Sequence, residues 1–391
     1  MPETLRGSSQ KLFFVYTLVD AIATLRALAR AIPQKHHLRM TSNKKPNLAR
    51  QLSISAEAGN LPEVLRLLAL GADPLHDNSQ ALRIASQHGH AGCVSALLPV
   101  SEPLAMNSYA LFMASIGGHV ECVKLLIPAS MPLDANDGQS VLMAAVHNGH
   151  NECVKLLAPI SNAQCDDSLS LASAAMNGHA DCIETLLPFT NPKVLGSRAI
   201  SWAAQHGHAE CVKILLPFSE PASPDCRALI DAAEYGHEEC VKLLLPASLP
   251  KKNKSEALRR AAENGHIECL ELLLPFSNPD AADFLALRQA IKQGHIDCAK
   301  ALLPTKGSLL ADPRPFMTAI RHGRANIVSM MLSHEPGLAD LVMSMRNPQK
   351  AAAAAGYGDL AALLGTVIER HAIGLCAPER PLGRAAPTPR L

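Results

Sequence analysis

A glycine recurs along this sequence at an almost constant spacing, and that periodicity restricts the chain to a repeat fold. The steps between successive glycines are 30, 29 and 31 residues, then 29 residues six times, and finally 35. A period of this size indicates supersecondary units that bury their apolar faces against one another. We therefore expect one elongated repeat domain, although a length of 391 residues alone would suggest two or three domains. The glycines are Gly59, Gly89, Gly118, Gly149, Gly178, Gly207, Gly236, Gly265, Gly294, Gly323 and, more loosely, Gly358.

Each unit predicts two short helices joined by a tight turn. Ala203 and Ile200 lie four and seven residues before Gly207, and this spacing puts them on one face of a helix. The glycine ends that helix, because a left-handed C-terminal cap costs least without a Cβ. A second helix follows with an acid, here Glu210, in its first turn, where the helix dipole favours negative charge. Pro217 ends the second helix, and a Ser/Thr-x-Pro turn often comes next.

The pattern A-A-x-x-G-H-x-E-x-V-x-x-L-L resembles the second half of the ankyrin repeat, and residues 59–74 resemble a typical opening ankyrin unit. The resemblance implies an all-α fold, an ankyrin-type helical-hairpin solenoid of about eleven repeats. Two features depart from the family. The T-P-L-H motif is missing, with Arg198-Ala199-Ile200-Ser201 in its place, and the repeat is shorter than the usual ~33 residues. We therefore expect shortened loops, with Ser-x-Pro turns in place of β-hairpins.

Three segments are predicted from these boundaries. Residues 1–46 do not belong to the repeats, residues 47–366 form the solenoid, and residues 367–391 form a Pro- and Arg-containing tail that we expect to be disordered. Residues 1–50 carry nine Lys/Arg and two acids, so the net charge of +1 leaves −6 for the remainder. That neutral-to-acidic body gives no electrostatic reason to expect nucleic acid. We expect a monomer.

Three interpretations of the N-terminal segment stay open. Residues 12–19 are apolar, but Asp20 interrupts the run, which is too short to span a membrane. The segment is a secretory signal cleaved near residues 21–23, or an amphipathic helix over residues 11–32 that caps the repeats or contacts a membrane surface, or the true start is Met40. Mass spectrometry of the native N-terminus separates these interpretations.

Eight of the eleven cysteines lie at one position of the repeat, four residues after the glycine. In the family that this chain resembles, the position holds a buried Val or Ile. Equivalent residues of adjacent repeats are about 10 Å apart, beyond the roughly 7 Å Cα separation that a disulfide can bridge. We expect reduced core residues and hence a reducing compartment such as the cytosol. These cysteines are Cys93, Cys122, Cys153, Cys182, Cys211, Cys240, Cys269 and Cys298.

A metal site is the chief chemical alternative, because G-H-x-x-C occurs eight times. Zinc usually takes four ligands, whereas here a helix start separates each histidine from a cysteine that we expect in the core. The sequence has no C-x-x-C, H-E-x-x-H, G-x-S-x-G or phosphate-binding glycine loop. We therefore predict no metal, no cofactor and no enzymatic activity; a site assembled across repeats would leave no local spacing to detect.

The two residues before each glycine vary, whereas the flanking alanine and glycine do not. In ankyrin stacks these positions face the concave groove, so the resemblance implies a partner protein bound there. Solvated positions without a function would vary in the same way. Ile116, Met176 and Tyr235 are candidate anchors, since aromatic residues are enriched at binding hot spots. The candidate residues are His88, His147, Met176, His206, Glu234, Tyr235, Glu263, Lys292, Arg321 and His322.

Two functions follow from these patterns. The first is a non-enzymatic protein-interaction scaffold that uses the concave face of the repeats. The alternative is an adaptor in which the N-terminal segment carries targeting and the repeats act as a spacer. In its abundance of Ala, Arg, Leu and Pro, the chain resembles bacterial ankyrin proteins, including effectors delivered into eukaryotic host cells. By family-level analogy this resemblance implies a location in the host cytosol.

Overall fold

The computed structural model describes residues 48–130, 135–161, 169–221, 227–248, 252–278, 281–303 and 309–373. Regular structure in these ranges consists of α-helices and short 3-10 turns, without a strand. The N-terminal segment, with residues 11–32 and Met40, lies outside the described residues, as does residue 374 onward. None of the described helices is both long enough and apolar enough to span a membrane.

The helices come in pairs, as the sequence predicts, with a first and a second helix in each repeat. The pairs are α1 (Leu48–Glu57) with α2 (Leu61–Ala69), α3 (His76–Gln87) with α4 (Ala91–Leu97), α5 (Ala105–Ile116) with α6 (Val120–Leu126), α7 (Ala135–His147) with α8 (Asn151–Leu157), α9 (Leu169–Asn177) with α10 (Ala180–Leu186), α11 (Val194–Gln205) with α12 (Ala209–Leu215), α13 (Ala228–Glu234) with α14 (Glu238–Leu244), α15 (Lys252–Asn264) with α16 (Ile267–Leu273), α17 (Ala281–Gln293) with α18 (Ile296–Ala301), and α19 (Arg314–Arg321) with α20 (Ala325–His334). A longer connector holds α21 (Leu338–Ser344), and α22 (Pro348–Ala354) pairs with α23 (Gly358–Ala372).

Each described first helix is followed by a glycine in the left-handed conformation. At Gly207 the φ angle is 77°, a value that a side chain would strain. The last pair corrects the sequence alignment by two residues. The glycine with positive φ there is Gly356, at 82°, whereas Gly358 is the first residue of α23.

The predicted core positions are buried in repeat after repeat. In the pair α13 and α14, Leu229, Ala232, Cys240, Val241 and Leu244 are each no more than 4% exposed. Burying one leucine or valine side chain stabilises a fold by about 1.5–3 kcal/mol. A single hairpin cannot enclose such a face, so each repeat depends on its neighbours.

The proline after most second helices acts differently from the prediction. In six repeats the α-helix ends two residues before the proline, which is the middle residue of a 3-10 turn. Proline is tolerated in a first turn, because the N–H that it lacks would have no helical partner there. These turns are Leu98–Val100, Ile127–Ala129, Leu187–Phe189, Leu216–Phe218, Leu245–Ala247 and Leu274–Phe276.

The described residues divide into two compact units. The first comprises residues up to 203 together with 213–219, and the second comprises 204–212 and the chain from 220 onward. In the first unit α1 packs on α3, α3 on α5, α5 on α7, and α7 on α9. In the second unit α13 packs on α15, α15 on α17, and α17 on α19. The hairpins of each unit are thus stacked in sequence order, as expected for an all-α helical-hairpin repeat.

Candidate functional site

The ten predicted candidate residues lie in the last turn of a first helix or at its cap. Four are partly buried and six are exposed. The partly buried residues are Met176, Glu234, Glu263 and His322, and the exposed ones are His88, His147, His206, Tyr235, Lys292 and Arg321. We use the name first-helix surface for these ends together with the helix positions five, six and nine residues before each glycine, which share the same side of the helix.

A histidine of the next repeat holds most of these helix ends. His237 Nε2 lies 2.9 Å from the carbonyl oxygen of Gln205, and His266 Nε2 lies 3.1 Å from that of Glu234. A carbonyl oxygen only accepts, so the imidazole donates through its Nε2–H. The bond gives a partner to a carbonyl that the helix leaves unsatisfied at its C-terminus. The same bond is made by His90, His119, His150, His179 and His295.

These bonds give the G-H-x-x-C histidines a structural role that local spacing did not reveal. The alignment placed each histidine at a turn, whereas its partner is a carbonyl oxygen about thirty residues earlier. In the repeat formed by α19 and α20, Arg324 replaces the histidine and donates from Nη2 to the carbonyl oxygen of Lys292 at 2.6 Å. Among the described residues, no group of three or more His, Cys, Asp or Glu side chains is placed to hold a metal ion.

The eight cysteines of the repeat position are reduced and buried, as the sequence predicts. Burial raises the pKa of Cys240 to about 11, and the carboxylate of Glu239 adds to the effect. The pKa of Cys269 is likewise raised to about 11, first by burial and then by Glu238 and Glu268. A thiol in this range is protonated at neutral pH and is a poor nucleophile.

An ion-pair cluster covers the first-helix surface of α15 and reaches the end of α13. Arg259 donates to Glu256, and its Nη1 donates to Glu263 Oε2 at 3.1 Å. Arg260 Nε lies 3.6 Å from Glu234 Oε2 on the preceding first helix. Our sequence interpretation selected Glu234 and Glu263 but missed both arginines and Glu256. The two arginines lie three and four residues from both Glu256 and Glu263, and this spacing is the signal that could have found the cluster.

Asp231 is a poorly solvated carboxylate of this surface. Its side chain is 18% exposed, and Oδ1 lies 3.6 Å from Arg227 Nε. Burial raises its pKa from 3.8 to about 6, with Arg227 and Arg260 opposing the rise and Glu234 adding to it. The surface of α13 therefore holds a carboxylate that takes up a proton in weakly acidic solution.

The first-helix surface of the first unit is more apolar. Ile54 is 55% exposed, and Ile84, Met113 and Ile116 are partly exposed at comparable positions. Side chains such as these lose water on binding and favour an apolar contact.

Aromatic rings on the same surface stand beside cationic or amide groups. Arg198 lies over the Trp202 ring, 4.4 Å from its centroid, in the first unit. In the second unit Tyr235 is 50% exposed, and its hydroxyl accepts a hydrogen bond from Gln205 Nε2 at 3.2 Å. The two surfaces can therefore make different contacts, and none of the residues described on either resembles a catalytic arrangement.

Glycine-capped hairpins joined by histidine–carbonyl bonds define a class of protein, the stacked helical-hairpin repeat. The family model described as ankyrin repeats (3 copies) matches residues 52–130, 101–168, 171–253 and 229–314. The chain belongs to the ankyrin-repeat family, which confirms the resemblance drawn from the sequence. Ankyrin repeats are generally protein–protein interaction modules and are typically not enzymes. No curated protein matches this chain.

Proposed function

We propose that this protein is a non-enzymatic scaffold that binds a partner protein on the concave face of its repeats, through the ends of the first helices. The supporting observation is a constant framework beneath variable side chains. Each described first helix is closed by a glycine of positive φ and most of these ends are held by a histidine, while the exposed residues change from aromatic to acidic to basic. Such preorganised groups bind with less loss of conformational freedom.

Tyr235 is the best single anchor on this surface. Half of the residue is exposed, and the hydrogen bond from Gln205 restrains its hydroxyl. Tyrosine is enriched at hot spots because one rigid ring offers both apolar area and a polar group. Ile116 and Met176 supply smaller apolar contacts in the first unit.

The groups that usually carry out chemistry have structural roles here, which supports the absence of catalysis. Seven histidines donate to backbone carbonyls, and the core thiols are protonated. Reduced thiols also support a reducing compartment as the place of action. The proposal includes two such compartments. One is the cytosol of the producing cell, and the other, which the resemblance to bacterial effectors implies, is the cytosol of a host cell. A monomer that binds neither metal nor nucleic acid completes the proposal.

Site-specific crosslinking of the full chain tests this function. A photoreactive residue at position 235 should capture the partner in cell extract, whereas one at Lys155, on a second helix, should not. Charge reversal of Glu234, Glu263, Lys292 and Arg321 together should then weaken the captured partner's binding at least about tenfold. The matched control reverses Glu121, Lys124, Glu268 and Lys300 on second helices, with the same net charge. Equal binding by both variants would exclude the first-helix surface.

A further inference from the structure

We infer that the part of the first-helix surface formed by α17 and α19 binds an acidic segment of the partner protein. The inference rests on the proposed function and adds the chemistry of the bound segment. Three cationic side chains carry it: Arg288, Lys292 and Arg321. Among the described residues, none of the three forms an ion pair with a carboxylate.

Arg288 stands where Arg259 stands one repeat earlier, six residues before the glycine. Arg259 is neutralised by Glu256 and Glu263, which lie on the same helix. On α17 those two positions hold Leu285 and Lys292 instead. From α15 to α17, these three positions thus change from an arginine between two glutamates to two cations, Arg288 and Lys292, without an acid.

The guanidinium of Arg288 also has an unused donor. Its Nε is buried and has no hydrogen-bond partner among the described residues, which costs free energy unless another group supplies an acceptor. The nearby carboxylate of Asp312 contributes only through space, since Arg314 engages both of its oxygens, from Nε at 2.7 Å and from Nη2 at 2.8 Å. The guanidinium of Arg288 therefore keeps a positive charge that no ion pair among the described residues balances.

Lys292 and Arg321 extend this positive surface over two repeats. Both are exposed, they occupy the same position of successive repeats, and within the described ranges neither has a carboxylate within 4 Å. The helices that carry them, α17 and α19, pack directly on each other. Packed helices lie about 8–10 Å apart, and a peptide in the polyproline II conformation rises about 3.1 Å per residue with three residues per turn, so that every third side chain lies on one face. Acidic side chains three residues apart therefore match the two cations.

Charge also favours a peptide over nucleic acid at this surface. Nucleic-acid affinity depends on neutralising many phosphates, and the described part of α17 and α19 offers only these three cations besides Arg314, which pairs with Asp312. The adjoining helix α15 does not extend the positive surface, because its Arg259 and Arg260 are already paired with Glu256 and Glu263. A short acidic segment ends before it meets them.

Fluorescence anisotropy with the full chain tests the inference. The probe is a labelled nonapeptide with glutamate at every third residue; a lysine counterpart and a nine-nucleotide oligo-dT are compared with it. Lys292→Glu with Arg321→Glu should weaken binding of the glutamate peptide at least about tenfold, and Arg288→Gln about threefold. The charge-matched control, Lys300→Glu with Lys350→Glu, should change it less than about twofold. Thermal unfolding of each variant confirms that it folds.

Absence of glutamate-peptide binding, equal affinity in the two double variants, or tighter binding of oligo-dT would each overturn the inference. These results leave the proposed function intact if the residue at position 235 still captures the partner. If position 235 captures nothing and the four charge reversals change nothing, the proposed function fails, whatever the peptide does. The two failures are therefore distinguishable.

Discussion

The imidazole of His237 occupies the space that a side chain on Gly207 would need. A Cβ on Gly207 would lie 2.6 Å from His237 Nδ1, while Nε2 of the same ring is 2.9 Å from the carbonyl oxygen of Gln205. The glycine is thus required twice, by its φ of 77° and by the ring packed against it. This arrangement explains why glycine and histidine recur together through the repeats.

Gly207→Ala should destabilise the protein by about 2–3 kcal/mol, because the strain of a left-handed alanine adds to displacement of the ring. Urea unfolding measures the change. At Gly356 the φ angle is similar, 82°, but no described atom lies within 4 Å of the point where a Cβ would stand. Gly356→Ala should therefore cost only the backbone strain, about 1 kcal/mol. In a His237→Ala background, the cost of Gly207→Ala should fall toward that value; strict additivity would contradict the steric explanation.

Asp231→Asn should stabilise the protein at pH 8 by about 1–2 kcal/mol. Burial raises the pKa of Asp231 to about 6, so above pH 6 the folded state holds a charge that its surroundings disfavour. The cost diminishes as the pH falls through 6 and is gone only at about pH 3, below the ordinary pKa of 3.8, where folded and unfolded chains are both largely protonated. Urea unfolding at pH 8 and pH 4.5 should show a clearly larger difference at the higher pH. Asp297→Asn, at an exposed position, is the control; an advantage for Asp231→Asn that grew at low pH would reverse the sign.

The core cysteines should resist alkylation in the folded protein. With a pKa near 11, Cys240 and Cys269 have far less thiolate at pH 7.5 than an ordinary cysteine. Iodoacetamide should react with them at least about a hundredfold more slowly than after unfolding in urea. Peptide mass spectrometry distinguishes each cysteine. Rapid modification of the native chain would show that the repeats open far more readily than their buried core implies.

The ion-pair cluster around Arg259 should contribute more to stability than the ion pairs around Lys242. Arg259→Ala should cost about 1 kcal/mol, because its partly buried side chain bridges Glu256 and Glu263. Lys242→Ala removes pairs with Glu238 and Glu239 that lie in solvent, so no measurable change is expected. Thermal unfolding of both variants makes the comparison. Equal losses would mean that the burial of Arg259 has no energetic consequence.

Local patterns predicted the hairpins, since the alanine, glycine and cysteine positions are determined within one repeat. They could not predict which atoms meet between repeats. The bond from His237 to Gln205 joins residues 32 apart in sequence. The ion-pair cluster was missed for a related reason, because Arg260 reaches back to Glu234 across two helices. The partner of a surface side chain depends on the stacking of neighbours, which periodicity alone does not specify.

The last repeat shows how a plausible alignment fails. Gly358 directly precedes Asp359 and Leu360, which begin a second helix, so the sequence alignment took Gly358 for the turn glycine. The structure places the turn at Gly356, with Tyr357 in the position of the usual histidine. A Cβ on Gly323 would meet the Tyr357 ring, so the aromatic group keeps the steric role of the imidazole.

The polarity of the histidine bonds affects how such a chain can change its length. In every bond described within a unit, the later repeat supplies the donor and the earlier one the acceptor. Loss or duplication of one whole period rejoins a donor to an equivalent acceptor, whereas an insertion of arbitrary length separates them. Recombination in multiples of the period is thus the inexpensive evolutionary route to a longer or shorter protein.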